Sequence, residues 1–147
     1  MRLTLWTDCA LRTLIYVGAK HGELSTIAEI ADSFDISKTH LMKVVHKLGQ
    51  QGYLETVRGK GGGIRLGRPP ARVAIGAVVR ETEDDLAVIG CLAGAGFCRI
   101  EGCCVLRGAL RKATHAFLET LDGYTLADLL VPREKLASRL GIAAALG

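Results

Sequence analysis

The sequence predicts a mainly α-helical fold with one small β-hairpin, and three observations carry that expectation. Three amphipathic segments with readable caps follow one another up to residue 50. A basic, glycine-rich run, Arg58-Gly59-Lys60-Gly61-Gly62-Gly63, sits between two short β-prone segments, and an apolar stripe recurs at helical spacing from Val105 to Leu121. With 147 residues and 49% hydrophobic content, the chain has enough apolar surface for one domain of ordinary size, and disorder is not expected.

The first helix is expected from about Thr7 to Ala19, with Ala10, Leu11, Leu14, Ile15 and Gly18 on one face, stopping near Gly22. A second begins at once. Thr26 and Glu29 form a capping-box pair, and Ile27, Ile30, Ala31 and Phe34 fall at i, i+3, i+4, i+7. After Asp35-Ile36, Ser37 can cap a third helix whose apolar face is Leu41, Val44, Val45 and Leu48. Its other face carries Lys38, Thr39, His40, Lys43 and Lys47. Two helices joined by a short turn, the second basic on its outer face, describe a helix-turn-helix, a pattern that many helical bundles share.

The segment that follows sharpens the reading. Tyr53 to Val57 and Ile64 to Leu66 read as strands around the glycine-rich run, giving a wing with a basic tip. Glycines permit positive φ and close backbone approach, so Arg58 and Lys60 can be held against a phosphate backbone or a minor groove. A nucleotide-binding phosphate loop is excluded, because it needs a helix after the glycines and here a strand follows. Pro69-Pro70 closes the hairpin, and Ile75 to Glu83 reads as a short helix. The stripe Leu106, Leu110, Ala113, Phe117 and Leu121 marks a longer helix, read as a dimerisation helix with packing on its own domain as the alternative. Thr125 to Leu130 begins a last turn or two, and the Ala-rich end from Leu136 onward carries little pattern. The expected organisation is a winged helix-turn-helix DNA-binding domain over residues 1–83, a cysteine loop over 84–104, the dimerisation helix and its following turn over 105–130, and a tail over 131–147.

Charge agrees with the wing. Residues 38–72 hold eight Lys or Arg against one acid, Glu55, a local +7 within a net charge of +4 that leaves −3 elsewhere. Such a concentration is the electrostatic footprint of a nucleic-acid contact face, although a solvated basic surface looks the same by charge alone. No stretch approaches the roughly 18 consecutive apolar residues of a membrane span, and the opening residues lack a secretion signal. A cytoplasmic protein without a membrane contact is expected.

In such a protein, five cysteines point to thiols, ligands or redox chemistry rather than a disulfide scaffold. Cys9 stands alone, whereas Cys91, Cys98, Cys103 and Cys104 crowd into 14 residues. Six residues separate Cys91 from Cys98, and four or five separate Cys98 from the adjacent pair. Structural zinc sites usually pair ligands two to four residues apart, and no second such pair or His-x-His partner lies nearby. Iron–sulfur clusters are larger, and loops of this length can wrap thiolates around them. Iron–sulfur, zinc and thiol redox switching all remain open on spacing. Side chains of Cys103 and Cys104 diverge as neighbours, so one of them is expected to be spare.

The opening Met-Arg-Leu-Thr-Leu-Trp-Thr-Asp, the wing Thr-Val-Arg-Gly-Lys-Gly-Gly-Gly-Ile-Arg-Leu-Gly, and Ile-Gly-Ala-Val-Val-Arg-Glu-Thr-Glu ahead of the cysteines resemble the bacterial winged-helix regulators that carry iron–sulfur clusters, over about residues 1–130. Asp8, the segment from Ile75 to Glu83, and Phe97-Cys98 ahead of Cys104-Val-Leu-Arg-Gly-Ala-Leu are most similar to the nitric-oxide-sensing branch of that family. The resemblance implies a homodimeric repressor relieved by nitric oxide, bound to a palindromic double-stranded operator and not an enzyme. It implies a 4Fe–4S cluster, with 2Fe–2S as the alternative, held by Cys91, Cys98 and Cys104, and by Asp8 from the first helix of the partner subunit. Without it, Asp8 reads as an acid favourably placed near a helix start, and Cys9 as a buried packing residue.

Ser37, Lys38, Thr39, His40 and Lys43 are the expected recognition-helix contacts, with Arg58 and Lys60 on the wing. The alternatives are a family regulator responding to iron supply or cluster status, a zinc-stabilised DNA-binding module, and an electron carrier. The last leaves the basic wing without a purpose.

Overall fold

The computed structural model describes residues 2–94, 96 and 98–143. Helix α1 spans Leu5–Ala19, α2 Ile27–Phe34 and α3 Lys38–Gln50; strands β1 (Leu54–Val57) and β2 (Gly63–Leu66) pair in antiparallel fashion. A 3-10 turn at Pro70–Arg72 leads to α4 (Ile75–Thr82), and a second at Glu101–Cys103 leads to α5 (Val105–Asp122). Helices α6 (Leu126–Leu129) and α7 (Arg133–Leu140) complete the described chain. This is the mainly helical fold with a hairpin wing that the sequence predicts.

Helix α1 starts two residues ahead of the expected Thr7, because the Thr4 hydroxyl accepts a hydrogen bond from the Thr7 N–H at 3.3 Å and supplies the cap. Its apolar face is also broader than the expected stripe. Ala10, Leu14 and Gly18 are buried, but Leu11 and Ile15 are only half-buried, while Cys9, Thr13, Tyr16 and Val17 are buried on other sides. The helix is surrounded by neighbours, which a single-face pattern cannot express.

The capping box of α2 forms in full: Glu29 N–H donates to Thr26 Oγ1 at 3.2 Å and Thr26 N–H to Glu29 Oε2 at 2.6 Å. Asp35, left-handed at φ 53°, ends α2, and Ser37 caps α3 by accepting from His40 N–H. The predicted face of α3, Leu41, Val44, Val45 and Leu48, is buried against α1 and α2. In the hairpin Leu54 faces Leu66, and Val57 faces Gly63. Ser25 and Ile64 exchange backbone hydrogen bonds of 2.8 and 2.7 Å, which stitch the wing to the α1–α2 connector.

Leu14, Ile30, Leu41, Leu48, Val73, Val78 and Leu126 are fully buried and mark the centre of the core. A second capping box, Thr125 with Asp128, opens α6. The sequence offers little pattern past Leu136, yet α7 forms there; Leu136, Leu140 and Ile142 pack against the core, and Ser33 Oγ donates to the Leu140 carbonyl at 3.1 Å. The last four residues of the tail, with Met1, Ala95 and Phe97 of the motif ahead of Cys104, lie outside the described residues.

By contrast, α5 buries none of its residues. It is tied to α4 by a bidentate pair, Arg80 Nη1 to Asp122 Oδ1 at 2.6 Å and Nη2 to Oδ2 at 2.7 Å. Gly76 on α4 makes room for that carboxylate, since a Cβ there would overlap Asp122 Oδ1. In a helix interior Ala is ordinarily more stable than Gly by about 0.5–1 kcal/mol. Here G76A displaces the Asp122 carboxylate from Arg80 and gains less than that, whereas in a D122A background the same substitution gains more, a difference that thermal unfolding by circular dichroism will show.

Candidate functional site: a basic helix and wing, and a cysteine loop

Because Leu41, Val44, Val45 and Leu48 turn inward, the opposite side of α3 is left to solvent. Ser37, Lys38, Thr39, Lys43 and Lys47 are exposed along it, as are Arg58 and Lys60 at the wing tip. The tip depends on glycine: Gly59 and Gly61 take φ of +99° and +77°, conformations that L side chains rarely adopt, and Gly62 N–H closes the turn onto the Gly59 carbonyl at 3.0 Å.

The basic segment divides by role. Arg65 pairs with Glu55 across the hairpin at 2.9 Å, and the hydrogen bond and charge of its guanidinium hold the Glu55 carboxyl below its usual range. Arg68 turns into the fold, donating to the carbonyls of Gly52 and Gln51 at 3.1 and 2.6 Å while lying 4.4 Å over the Tyr53 ring. Among the described residues, Lys38, Lys43, Lys47, Arg58 and Lys60 make no ion pair and keep their charge for an outside partner.

His40 stands apart from its neighbours. Its ring meets Trp6 of α1 edge-on at 5.7 Å and 88°, it is half-buried, and its Nε2 is buried without a hydrogen-bond partner among the described residues. Met42, passed over in the sequence because it is neither basic nor on the apolar stripe, is 60% exposed on the outward face. Its position three residues after Thr39 and four after Lys38 was the available signal.

Between α4 and α5 runs the cysteine loop. Cys91, Cys98 and Cys104 are half-buried, Cys103 is exposed, and all are free thiols. Gly94 and Gly96 adopt positive φ of 76° and 86°, conformations that favour glycine. The adjacent cysteines turn to different partners. Cys103 Sγ lies 3.6 Å from the Ile100 carbonyl, whereas Cys104 occupies the N-cap of α5, its sulfur accepting from Arg107 N–H at 3.4 Å. Asp8, 44% exposed, is bound by Arg12 Nε at 3.0 Å one turn along α1. Cys9 beside it is fully buried, and burial, then the nearby Asp8 carboxylate, push its thiol pKa up.

As a donor set the three loop cysteines fit an iron–sulfur cluster: free, partly accessible thiols on a glycine-bearing loop, one of them at a helix N-terminus where a backbone N–H already meets the sulfur. Within one chain they are not gathered. Among the described residues no three His, Cys, Asp or Glu side chains stand together in a way that could hold a metal ion, and Asp8 lies on α1 with Arg12.

A capped helix-turn-helix, an unpaired cationic face and a glycine-tipped wing define a winged-helix transcription regulator rather than an enzyme. Comparison with known proteins narrows the class. The chain belongs to the Rrf2 family, described as an iron-dependent transcriptional regulator, which it matches over residues 3–132. It is 49% identical over 142 residues to the HTH-type transcriptional regulator NsrR of Bacillus subtilis, covering 95% of this chain and 97% of that one. It is 51% identical, with the same coverage, to the NsrR of Geobacillus kaustophilus. Among solved structures, T. potens IscR superposes with a TM-score of 0.74 at 23% identity, covering 92% of this chain and 90% of that chain, a likeness of fold. CymR, the global cysteine regulator of B. subtilis, superposes at 0.73 with 25% identity over 88% and 95%. No helix among the described residues is long and apolar enough to cross a membrane.

Two measurements check this geometry. Replacing Arg58 and Lys60 together by Ala weakens DNA binding and lowers the slope of log affinity against log salt by about 2 in magnitude, since each phosphate contact contributes about 0.9. In the native apo protein under reducing conditions, a thiol reagent titrates four cysteines quickly and the fifth, Cys9, only on unfolding; five fast thiols would contradict the burial of Cys9.

Proposed function

We propose that the chain is a homodimeric repressor of palindromic operators whose DNA affinity is set by an iron–sulfur cluster and relieved by nitric oxide. The observation that carries this reading is the presence in one chain of two separate chemistries, an unpaired cationic helix and wing and a loop of three free, half-buried thiols. Ser37, Lys38, Thr39, His40 and Lys43 belong to the DNA-reading helix, with Arg58 and Lys60 gripping phosphate from the wing. Kinship of about half the residues with regulators named NsrR supports the assignment.

Cys91, Cys98 and Cys104 would hold the cluster, and Asp8 of the partner subunit would complete its ligands. When bound, the cluster supplies iron that reacts with nitric oxide. A carboxylate is a harder and weaker ligand for such iron than a thiolate, so Asp8 is the ligand most easily given up. Asp8 stands two residues after Trp6, whose ring bears on His40 at the start of α3. Held in this way, Asp8 would tie the partner's cysteine loop to the helix that braces the DNA-reading helix, and losing that ligand would undo the tie.

Dimerisation accounts for the bare face of α5. Val105 and Leu106 are 83% and 61% exposed, and Leu110 and Phe117 line an open groove of 660 Å³ with Leu3 and Val88. A second copy covers this surface and brings Asp8 of one protomer toward the loop of the other. Two-fold symmetry then sets the two α3 helices against half-sites about one helical turn apart.

A second reading, response to iron supply or cluster status, is supported by the family's description as iron-dependent. The test is operator binding by anaerobically reconstituted protein, with nitric oxide added stepwise while the visible absorption is followed. Parallel loss of binding and absorption supports the nitric-oxide repressor. Binding that survives nitric oxide but falls when iron is chelated supports the second reading.

A further inference from the structure

We infer that Met42 is a specificity-determining residue that reads the C5-methyl of a thymine in each operator half-site. The inference rests on the DNA-binding role of α3 proposed above. Among the described residues of the helix-turn-helix and wing, from Ile27 to Leu66, Met42 is the large hydrophobic side chain left exposed, at 60%. The other exposed large hydrophobics lie at the first turn of α1, in or beside the cysteine loop and α5, or past the end of α5.

Its neighbours say what it faces. Lys38 and Thr39 precede it by four and three residues, Lys43 follows directly, and His46 lies four residues on, all exposed on the same side of α3. Beside it an open groove is walled by Ile27, Val45, Thr56 and Ile64, between α3 and the wing. The helix therefore presents an apolar, flexible thioether set between cations. When those cations grip phosphates on either side, the residue between them meets base edges rather than the backbone. In the major groove the apolar feature is the thymine methyl, since the remaining edge atoms are hydrogen-bond donors and acceptors that methionine cannot satisfy. Methionine suits that task because its unbranched, polarizable chain adapts to a small apolar target.

The full-length protein, reconstituted anaerobically, is used to select duplexes from a random DNA pool, and each thymine of the selected site is then replaced singly by deoxyuridine, which lacks only the methyl group. At one position per half-site, wild type loses about fourfold in affinity, the worth of one buried methyl. M42A binds thymine and deoxyuridine equally there, with an unchanged salt slope, whereas M42L, which keeps an apolar end, retains the discrimination. Because Met42 is exposed, these variants fold as wild type does, which their melting temperatures verify. If M42A keeps the thymine preference, or if no thymine position responds in wild type, Met42 does not read the site, while the DNA-binding reading stands. If wild type selects no sequence at all, both readings fall together.

Discussion

Helix α1 is buried on nearly every side, and the positions of the other elements follow from that burial. Cys9, Ala10 and Leu14 are fully enclosed, and Gly18 allows α6 to approach so closely that a Cβ there would stand 2.7 Å from Leu130 Cδ1. Helices α2, α3, α4, α6 and α7 and strand β2 all lean on it. Its buried hydroxyls are satisfied rather than orphaned: Thr13 donates to the Cys9 carbonyl at 2.7 Å, and Thr7 donates to Thr82, which donates in turn to the Val78 carbonyl. A helix packed in this way cannot shift alone, because close-packed interiors transmit displacement to their neighbours.

The first turns of α1 therefore link the two chemistries of the molecule. Thr4 donates from both N–H and hydroxyl to Glu83 Oε1, at 2.7 and 2.9 Å, where α4 ends and the cysteine loop begins. Burial pushes the Glu83 carboxyl upward, but the hydrogen bonds it accepts, those from the Thr4 N–H and hydroxyl among them, outweigh it and leave the group below its usual range. Trp6 touches α3, Thr4 and Thr7 touch the root of the loop, and Asp8 lies one residue further on.

Charge is divided as economically as packing. Half-buried Arg68 and cross-strand Arg65 belong to the fold, where they hold the hairpin to the end of α3 and its strands to each other. The lysines of α3 and the two cations of the wing tip remain outside it. The wing can present them because Ser25 fixes β2 from the side while glycines shape the tip. Helix α5 behaves oppositely: none of its residues is fully buried among the described residues, and Leu106 at the head of its apolar stripe is 61% exposed.

Much of this was legible in the residues themselves. Capping boxes at Thr26 and Thr125–Asp128, the i, i+3, i+4, i+7 faces of α2 and α3, and the glycines of the wing are local features, set by hydrogen-bonding and steric rules that act within a few residues. The crowding of four cysteines and the +7 segment were equally plain, and the signature segments carried the family. What the sequence could not determine was decided at a distance in the chain. Burial of α1 on several sides, the inward turn of Arg68, the packing of His40 on Trp6, the seat of α7, and the outward exposure of Met42 each depend on partners many residues away, and periodicity records only which side of a helix is apolar, not how many neighbours surround it. The arrangement of the cysteines belongs to the same class: four thiols crowd into 14 residues of sequence, yet among the described residues no three potential metal ligands stand together, a fact that spacing does not record.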